Sequence, residues 1–228
     1  MNKSECLHVN LTLVAKAPRA GYVKTRLQKS FSPQQACDIY SCLLSRARAL
    51  AESWQQTRPD IRLILAFDPP DLPQLWDTWS AWSKLPQISG DLGDRLRAVV
   101  ASGTPEGRSA FIFIGADAPE LSCQNLDWAK DNLLYHDAVM IPSNDGGYVL
   151  LGLHASATAL LTGINWGTDQ VRWQTQEIAR NAGLKLADTT PISDIDFAED
   201  IAELISRLLC SSDAHDKALA AALLKITA

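Results

Sequence analysis

Short apolar runs alternate along this chain with longer stretches in which apolar residues recur every three or four positions. The runs are Val9 to Ala15 (VNLTLVA), Arg62 to Phe67 (RLILAF), Ala110 to Gly115 (AFIFIG), Ala138 to Pro142, Tyr148 to Leu153 and a brief Lys185 to Ala187. Turn residues bound most of them, as expected of strands. The longer stretches predict helices. Ser32 as N-cap and Pro33 as first helical residue open one that runs to about Trp54. Others are predicted for a segment carrying Trp76, Trp79 and Trp82, for Asp94 to Ser102, for Asn125 to Leu134, for about Thr168 to Ala182 and for Phe197 to Leu209. Strand and helix alternate, which predicts βαβ units and a mostly parallel sheet. Such sheets bind ligands beyond the carboxyl ends of their strands, so the residues just after each strand are the ones to inspect.

The loop after the first strand reads Lys16-Ala-Pro-Arg-Ala-Gly21-Tyr-Val-Lys24-Thr25-Arg26. Five basic residues and no acidic one lie between Lys16 and Lys29. Lys and Arg, with free backbone N–H groups near Gly21, can neutralise a polyphosphate; a solvated basic loop is the alternative. Asp117 follows the run 110 to 115 by two residues, with Pro119 stiffening the turn. A carboxylate there can hold a hard divalent cation or cap the next helix. In Ser193-Asp194-Ile195-Asp196, alternation puts Asp194 and Asp196 on one side of an extended segment, able to share an ion, although Asp196 can also open a helix. Asp145-Gly146-Gly147-Tyr148 is either a tight hairpin or a close approach of backbone to ligand. Gly90-Asp-Leu-Gly93-Asp94-Arg95 could meet a base or ribose through its backbone. In Trp166-Gly-Thr168-Asp169-Gln170, capping by Thr168 competes with acceptor binding. The tryptophan stripe favours packing over a sugar platform.

Composition narrows the partners. A 46% hydrophobic chain of 228 residues can bury a sizeable core, and neither repeats nor low-complexity tracts divide it, so one domain over 1–228 is expected. A net charge of −5 disfavours broad binding to nucleic acid or anionic membrane, so any anion site must be local. Cys6, Cys37, Cys42, Cys123 and Cys210 are odd in number and lack CxxC spacing, which speaks against a disulfide framework or zinc site. The apolar run Leu11 to Ala15 is too short for a signal peptide or a membrane span, and a cytoplasmic protein is expected. The four histidines form no catalytic arrangement.

Taken in order, KAPRAGYVKTRL at 16–27, GDLGDR at 90–95, GADAP at 115–119, DGGY at 145–148, WGTDQ at 166–170 and DID at 194–196 resemble the bacterial glycosyltransferase-like family of the nucleotide-diphospho-sugar transferase (GT-A) superfamily. Some members are labelled arsenosugar-biosynthesis glycosyltransferases. The resemblance spans about residues 9 to 208, and the first loop also looks like that of deazaflavin-cofactor guanylyltransferases. It implies a three-layer α/β/α, Rossmann-like fold with a mixed, mostly parallel sheet. It further implies a magnesium- or manganese-dependent transferase that takes a nucleotide or nucleotide sugar and a small-molecule acceptor. Under it Lys16, Lys24, Arg26 and Asp117 are catalytic, and Asp117, Asp194 and Asp196 hold the metal. Ala15, Lys16, Gly21, Lys24, Thr25, Arg26, Asp68, Gly90, Gly93 and Asp94 meet the nucleotide. Asp145, Gly146, Gly147, Tyr148, Trp166, Thr168 and Asp169 meet the acceptor. Two departures stand out: Ala116 and Ala118 leave no Asp-x-Asp around Asp117, and Phe197 stands where relatives often have Thr. Glycosyl transfer, nucleotidyl transfer with release of pyrophosphate, and nucleotide or partner binding without turnover all stay open.

Overall fold

A computed structural model describes residues 7–68, 79–103 and 109–228. Its seven strands are β1 (His8–Lys16), β2 (Arg62–Asp68), β3 (Ser83–Pro86), β4 (Ser109–Ile114), β5 (Ala138–Pro142), β6 (Tyr148–His154) and β7 (Leu186–Asp188), in one sheet of order β3-β2-β1-β4-β6-β5-β7. All pairs are parallel except those of β6, which runs antiparallel to both β4 and β5. The mostly parallel mixed sheet read from the sequence is therefore present. Because β6 is reversed, its first residue, Tyr148, lies at the same edge as the carboxyl ends of its neighbours, and it pairs with Pro142, the last residue of β5.

Alternation along the strands divides the core between the two faces of the sheet. Leu63 and Leu65 of β2 and Ile112 and Ile114 of β4 pack with α1 (Pro33–Gln56) and α3 (Cys123–Asn132). Ile64, Ala66, Phe111 and Phe113 pack with α2 (Leu92–Ala101), α4 (Val171–Asn181) and a 3-10 segment at Ala155–Leu161. A third cluster seals the outer side of α1 with α5 (Ala198–Cys210) and α6 (Ala214–Thr227). Each fully buried Leu or Ile in these clusters contributes roughly 1.5–3 kcal/mol. Helices on both faces make the three-layer α/β/α fold. No helix among the described residues is long and apolar enough to cross a membrane.

Several boundaries differ from those expected, each for a local reason. Ser32 caps α1 as read, through a reciprocal capping box with Gln35. For α2 the cap is Asp91, paired with Asp94, so the helix starts at Leu92. For α3 it is Ser122, with Asn125. Asp117 therefore caps nothing. Thr168 does not start α4, whose first residue is Val171; its hydroxyl donates to the Asn165 carbonyl instead. At α5 the Asp200 carboxylate accepts from the Asp196 and Phe197 N–H groups, which leaves the Asp196 side chain free for other work. Trp76 lies outside the described residues. Trp79 and Trp82 are in a turn leading into β3 rather than a helix, 4% exposed each and packed edge to face at 5.0 Å. Their role is packing, with the Trp82 indole N–H donating to Glu52 of α1. The cysteines among the described residues are free.

Candidate functional site

The carboxyl edge of the sheet carries a cavity of about 530 Å³. Register sets its floor. Lys16 ends β1 opposite Asp68, and the Ala17 N–H donates to the Asp68 carbonyl at 2.7 Å. The loop after β1 folds back over this edge. The Lys16 backbone exchanges hydrogen bonds with the Tyr40 hydroxyl of α1, and the Tyr22 hydroxyl donates to the Asp68 carboxylate at 2.8 Å. Burial is the main reason the Tyr40 phenol lies well above its ordinary pKa.

Lys24 is the centre of the ionic half. Its side chain is 7% exposed, and its ammonium lies 3.2 Å from Asp117 and 3.0 Å from Asp196. Burial opposes its charge, but the two carboxylates outweigh that and hold it above the ordinary lysine pKa. It is also the one non-glycine residue of positive φ among those described, at +44°, a strain of the kind that collects at functional sites. Arg26 donates to the other Asp196 oxygen, with its guanidinium over the Phe197 ring. Phe197, the departure from the family pattern, is thus a platform for Arg26. For Asp196, burial pushes the carboxyl up, but Lys24 and Arg26 hold it below its ordinary value.

The acidic segment 194–196 is fastened by backbone. The Ile195 N–H donates to the Asp117 carbonyl at 2.9 Å, and the Ile192 N–H to the Pro142 carbonyl at 3.0 Å. Asp194 is thereby held against the β5–β6 hairpin, where its carboxyl is pushed up to about 6, first by burial and then by the charges of Asp145, Asp117 and Asp196. The carboxylates that converge are Asp145, Asp194 and Asp196, each offering an oxygen within 4.8 Å of the others. The expected set had Asp117 in place of Asp145. Asp117 is instead ion-paired to Lys24, while the Asp145 turn, closed by the Gly147 N–H, turns its carboxylate toward Asp194.

Of the residues expected to meet a nucleotide, Ala15, Lys16, Lys24, Thr25 and Arg26 line the cavity, whereas Gly21, Asp68, Gly90, Gly93 and Asp94 do not. Asp94 is spent on the α2 capping box and on Arg97, and Gly93 is a packing residue: a Cβ there would lie 2.1 Å from the Leu161 carbonyl oxygen. Their places are taken by Gln87, Leu92 and Arg95. Gln87 carried no sequence signal. It donates to the Ala15 and Ala66 carbonyls and accepts from Arg95, clasping the ends of β1 and β2. Of the residues expected to meet an acceptor, Asp145, Gly147, Tyr148, Trp166 and Thr168 line the cavity. Gly146 and Asp169 pack on each other instead, Gly146 at φ +91° with no room for a Cβ.

Comparison with known proteins bears on the family and the fold. The family described as uncharacterized protein conserved in bacteria (DUF2064) matches residues 49–168. A proposed nucleotide-diphospho-sugar transferase from Desulfovibrio desulfuricans G20 superposes with a TM-score of 0.83 at 25% identity, over 96% of each chain. The fold is shared more distantly with 4-diphosphocytidyl-2C-methyl-D-erythritol synthase of Anaerococcus prevotii DSM 20548, at a TM-score of 0.57 and 11% identity over 88% of this chain and 96% of that one. It is also shared with a CMP:2-keto-3-deoxy-manno-octonic acid synthetase bound to CTP, at 0.53 and 10% over 88% and 98%. No curated protein matches the chain.

Proposed function

The chain belongs to the DUF2064 family and has the fold of nucleotide-diphospho-sugar transferases, and from that premise we propose that it is a metal-dependent transferase whose donor is a nucleotide sugar. The observation that carries this reading is the charge layout of the cavity. Lys16, Lys24, Arg26 and Arg95 face Asp117, Asp145, Asp194 and Asp196, so cations and carboxylates balance. A balanced cavity attracts a diphosphate weakly, but a divalent cation tips it positive.

The converging oxygens of Asp145, Asp194 and Asp196 fit a hard cation, since they are carboxylates and since Asp194, its pKa raised first by burial and then by the charge of Asp145, is crowded in a way that such an ion relieves. Bound there, magnesium or manganese would neutralise charge on the leaving diphosphate. The chain supplies the rest. Lys16 and Arg26 bind phosphate oxygens, and Lys24 keeps Asp117 and Asp196 in place until the donor arrives. The Asp145–Tyr148 turn and Thr168 flank the acceptor. In the transfer, the bond from the sugar's anomeric carbon to the diphosphate breaks, with its electron pair going to the diphosphate. The acceptor hydroxyl oxygen bonds to that carbon and releases its proton to solvent.

The dense basic loop also suits a triphosphate, which keeps nucleotidyl transfer as the second reading. A thermal-shift panel of nucleoside triphosphates, nucleoside diphosphates and nucleotide sugars, each with and without Mg²⁺, separates them. Magnesium-dependent stabilisation by a nucleotide sugar is expected. Response to triphosphates alone, with pyrophosphate released on turnover, would establish the second reading, and no response to any nucleotide would overturn both.

A further inference from the structure

Of the four cations that line the cavity, three are already paired. Lys24 is held by Asp117 and Asp196, Arg26 by Asp196, and Arg95 lies 3.7 Å from Asp68. Lys16 makes no ion pair among the described residues; its ammonium lies 5.2 Å from the centroid of the Tyr22 ring. A phosphate that approaches any of the other three must displace or share a carboxylate. At Lys16 it meets an undivided charge.

An unpaired lysine carries a cost of its own, because its long stem loses freedom when an anion fixes it. A carboxylate beside it would hold the ammonium still but cancel its charge. The face of an aromatic ring restrains an ammonium and leaves the charge intact, since the attraction is to the ring quadrupole. The fold sets Tyr22 in that place. The chain reverses at Arg19–Tyr22, where the Tyr22 N–H donates to the Arg19 carbonyl at 3.0 Å and Gly21 supplies a positive φ of +81° inside the turn. The far end of the ring is then pinned: its hydroxyl donates to the Asp68 carboxylate at 2.8 Å, and the Asp68 carbonyl takes the Ala17 N–H at 2.7 Å. Lys16 is fixed at its backbone by the Tyr40 hydroxyl, so its exposed stem is the part left to be restrained. We propose that Tyr22 is a positioning residue for the phosphate of the donor, acting through Lys16 by holding its ammonium at the cavity without neutralising it. The proposal rests on the nucleotide-binding reading above and applies to a diphosphate and a triphosphate alike.

The test is a double-mutant cycle read by calorimetry. ADP, GDP, CDP, UDP and dTDP and the matching triphosphates are titrated, with Mg²⁺, into the wild type, and the tightest is carried through Tyr22→Leu, Tyr22→Phe, Lys16→Met and the double variant Lys16→Met with Tyr22→Leu. Tyr22→Leu should weaken that nucleotide about fourfold, the order expected for one exposed cation–ring contact. Tyr22→Phe keeps the ring and should stay within about twofold of wild type. In the Lys16→Met background the Tyr22→Leu change should have no effect, because the cation it acts through is gone. An equal loss in both backgrounds would show that Tyr22 touches the nucleotide itself or merely shapes the loop, and would overturn the proposal. So would a loss in Tyr22→Phe as large as in Tyr22→Leu, which would assign the effect to the Asp68 hydrogen bond, or no loss in either variant. In each of these outcomes the wild type still binds and the nucleotide reading stands. Failure of every nucleotide to bind the wild type would overturn that reading and this inference together.

Discussion

Lys24 shows how much one side chain can hold. It is buried, strained at φ +44° and shared between two carboxylates, Asp117 and Asp196, that lie 93 and 172 positions further along the chain. Removing its charge in Lys24→Met should cost about 1–2 kcal/mol of stability in chemical denaturation, less than for a fully enclosed pair because both carboxylates reach solvent. Nucleotide affinity should fall with it. Asp194 sets the pH response. Its carboxyl titrates at about 6 in the folded protein against an ordinary 3.8, so between these values the native state holds the proton more firmly than the unfolded chain. That contribution is full below about pH 4 and is lost as pH rises through 6. Melts from pH 5 to 7.5 without metal should therefore show a downward contribution that Asp194→Asn removes, and Mg²⁺ should restore the stability lost at the upper end. At this scale the sequence exposed the residue types. It could not expose the pairing, because Lys24 and Asp196 stand 172 positions apart and meet only through the fold.

Legibility among the elements followed burial. Strands covered on both faces are largely apolar, so β1, β2, β4, β5 and β6 stood out as runs, and Ser32-Pro33 marked the start of α1. β3 did not, because Ser83–Pro86 is an edge strand of half-buried polar and apolar residues with no alternation to read. Nor did α6, whose Ala-rich sequence has little polar contrast between its faces. The GDLGDR segment taught a sharper lesson: a motif that suggested ligand contact owes Gly93 to the packing of α2 on the 155–161 segment. Ala would gain about 1 kcal/mol of helix propensity there, yet its Cβ would press on the Leu161 carbonyl at 2.1 Å. Gly93→Ala should therefore destabilise, by about 1–3 kcal/mol as overpacked sites do, and a melt showing stabilisation would refute the packing argument.

At the scale of the whole molecule, the site is assembled by the reversal of β6. Had that strand been parallel to β4, the 145–148 turn would sit at the far edge, away from Lys16 and Asp117; reversed, it brings Asp145 to within 4.8 Å of Asp194 and Asp196. The sequence announced two strands around a Gly-Gly turn, but the edge at which that turn lies depends on strand order, which no local pattern encodes. The consequence for metal binding can be measured. If the three converging carboxylates hold the ion, Asp145→Asn should weaken Mn²⁺ binding, followed by electron paramagnetic resonance without nucleotide, on the order of tenfold, since affinity for hard cations follows the number of charged oxygen ligands. Asp117→Asn should change it far less, because that carboxylate is engaged by Lys24 at 3.2 Å, and its loss would act through Lys24 and the nucleotide. The reverse order of effects would return the ion to Asp117 and assign the Asp145 carboxylate to closing its own turn through the Gly147 N–H and the Ser143 hydroxyl.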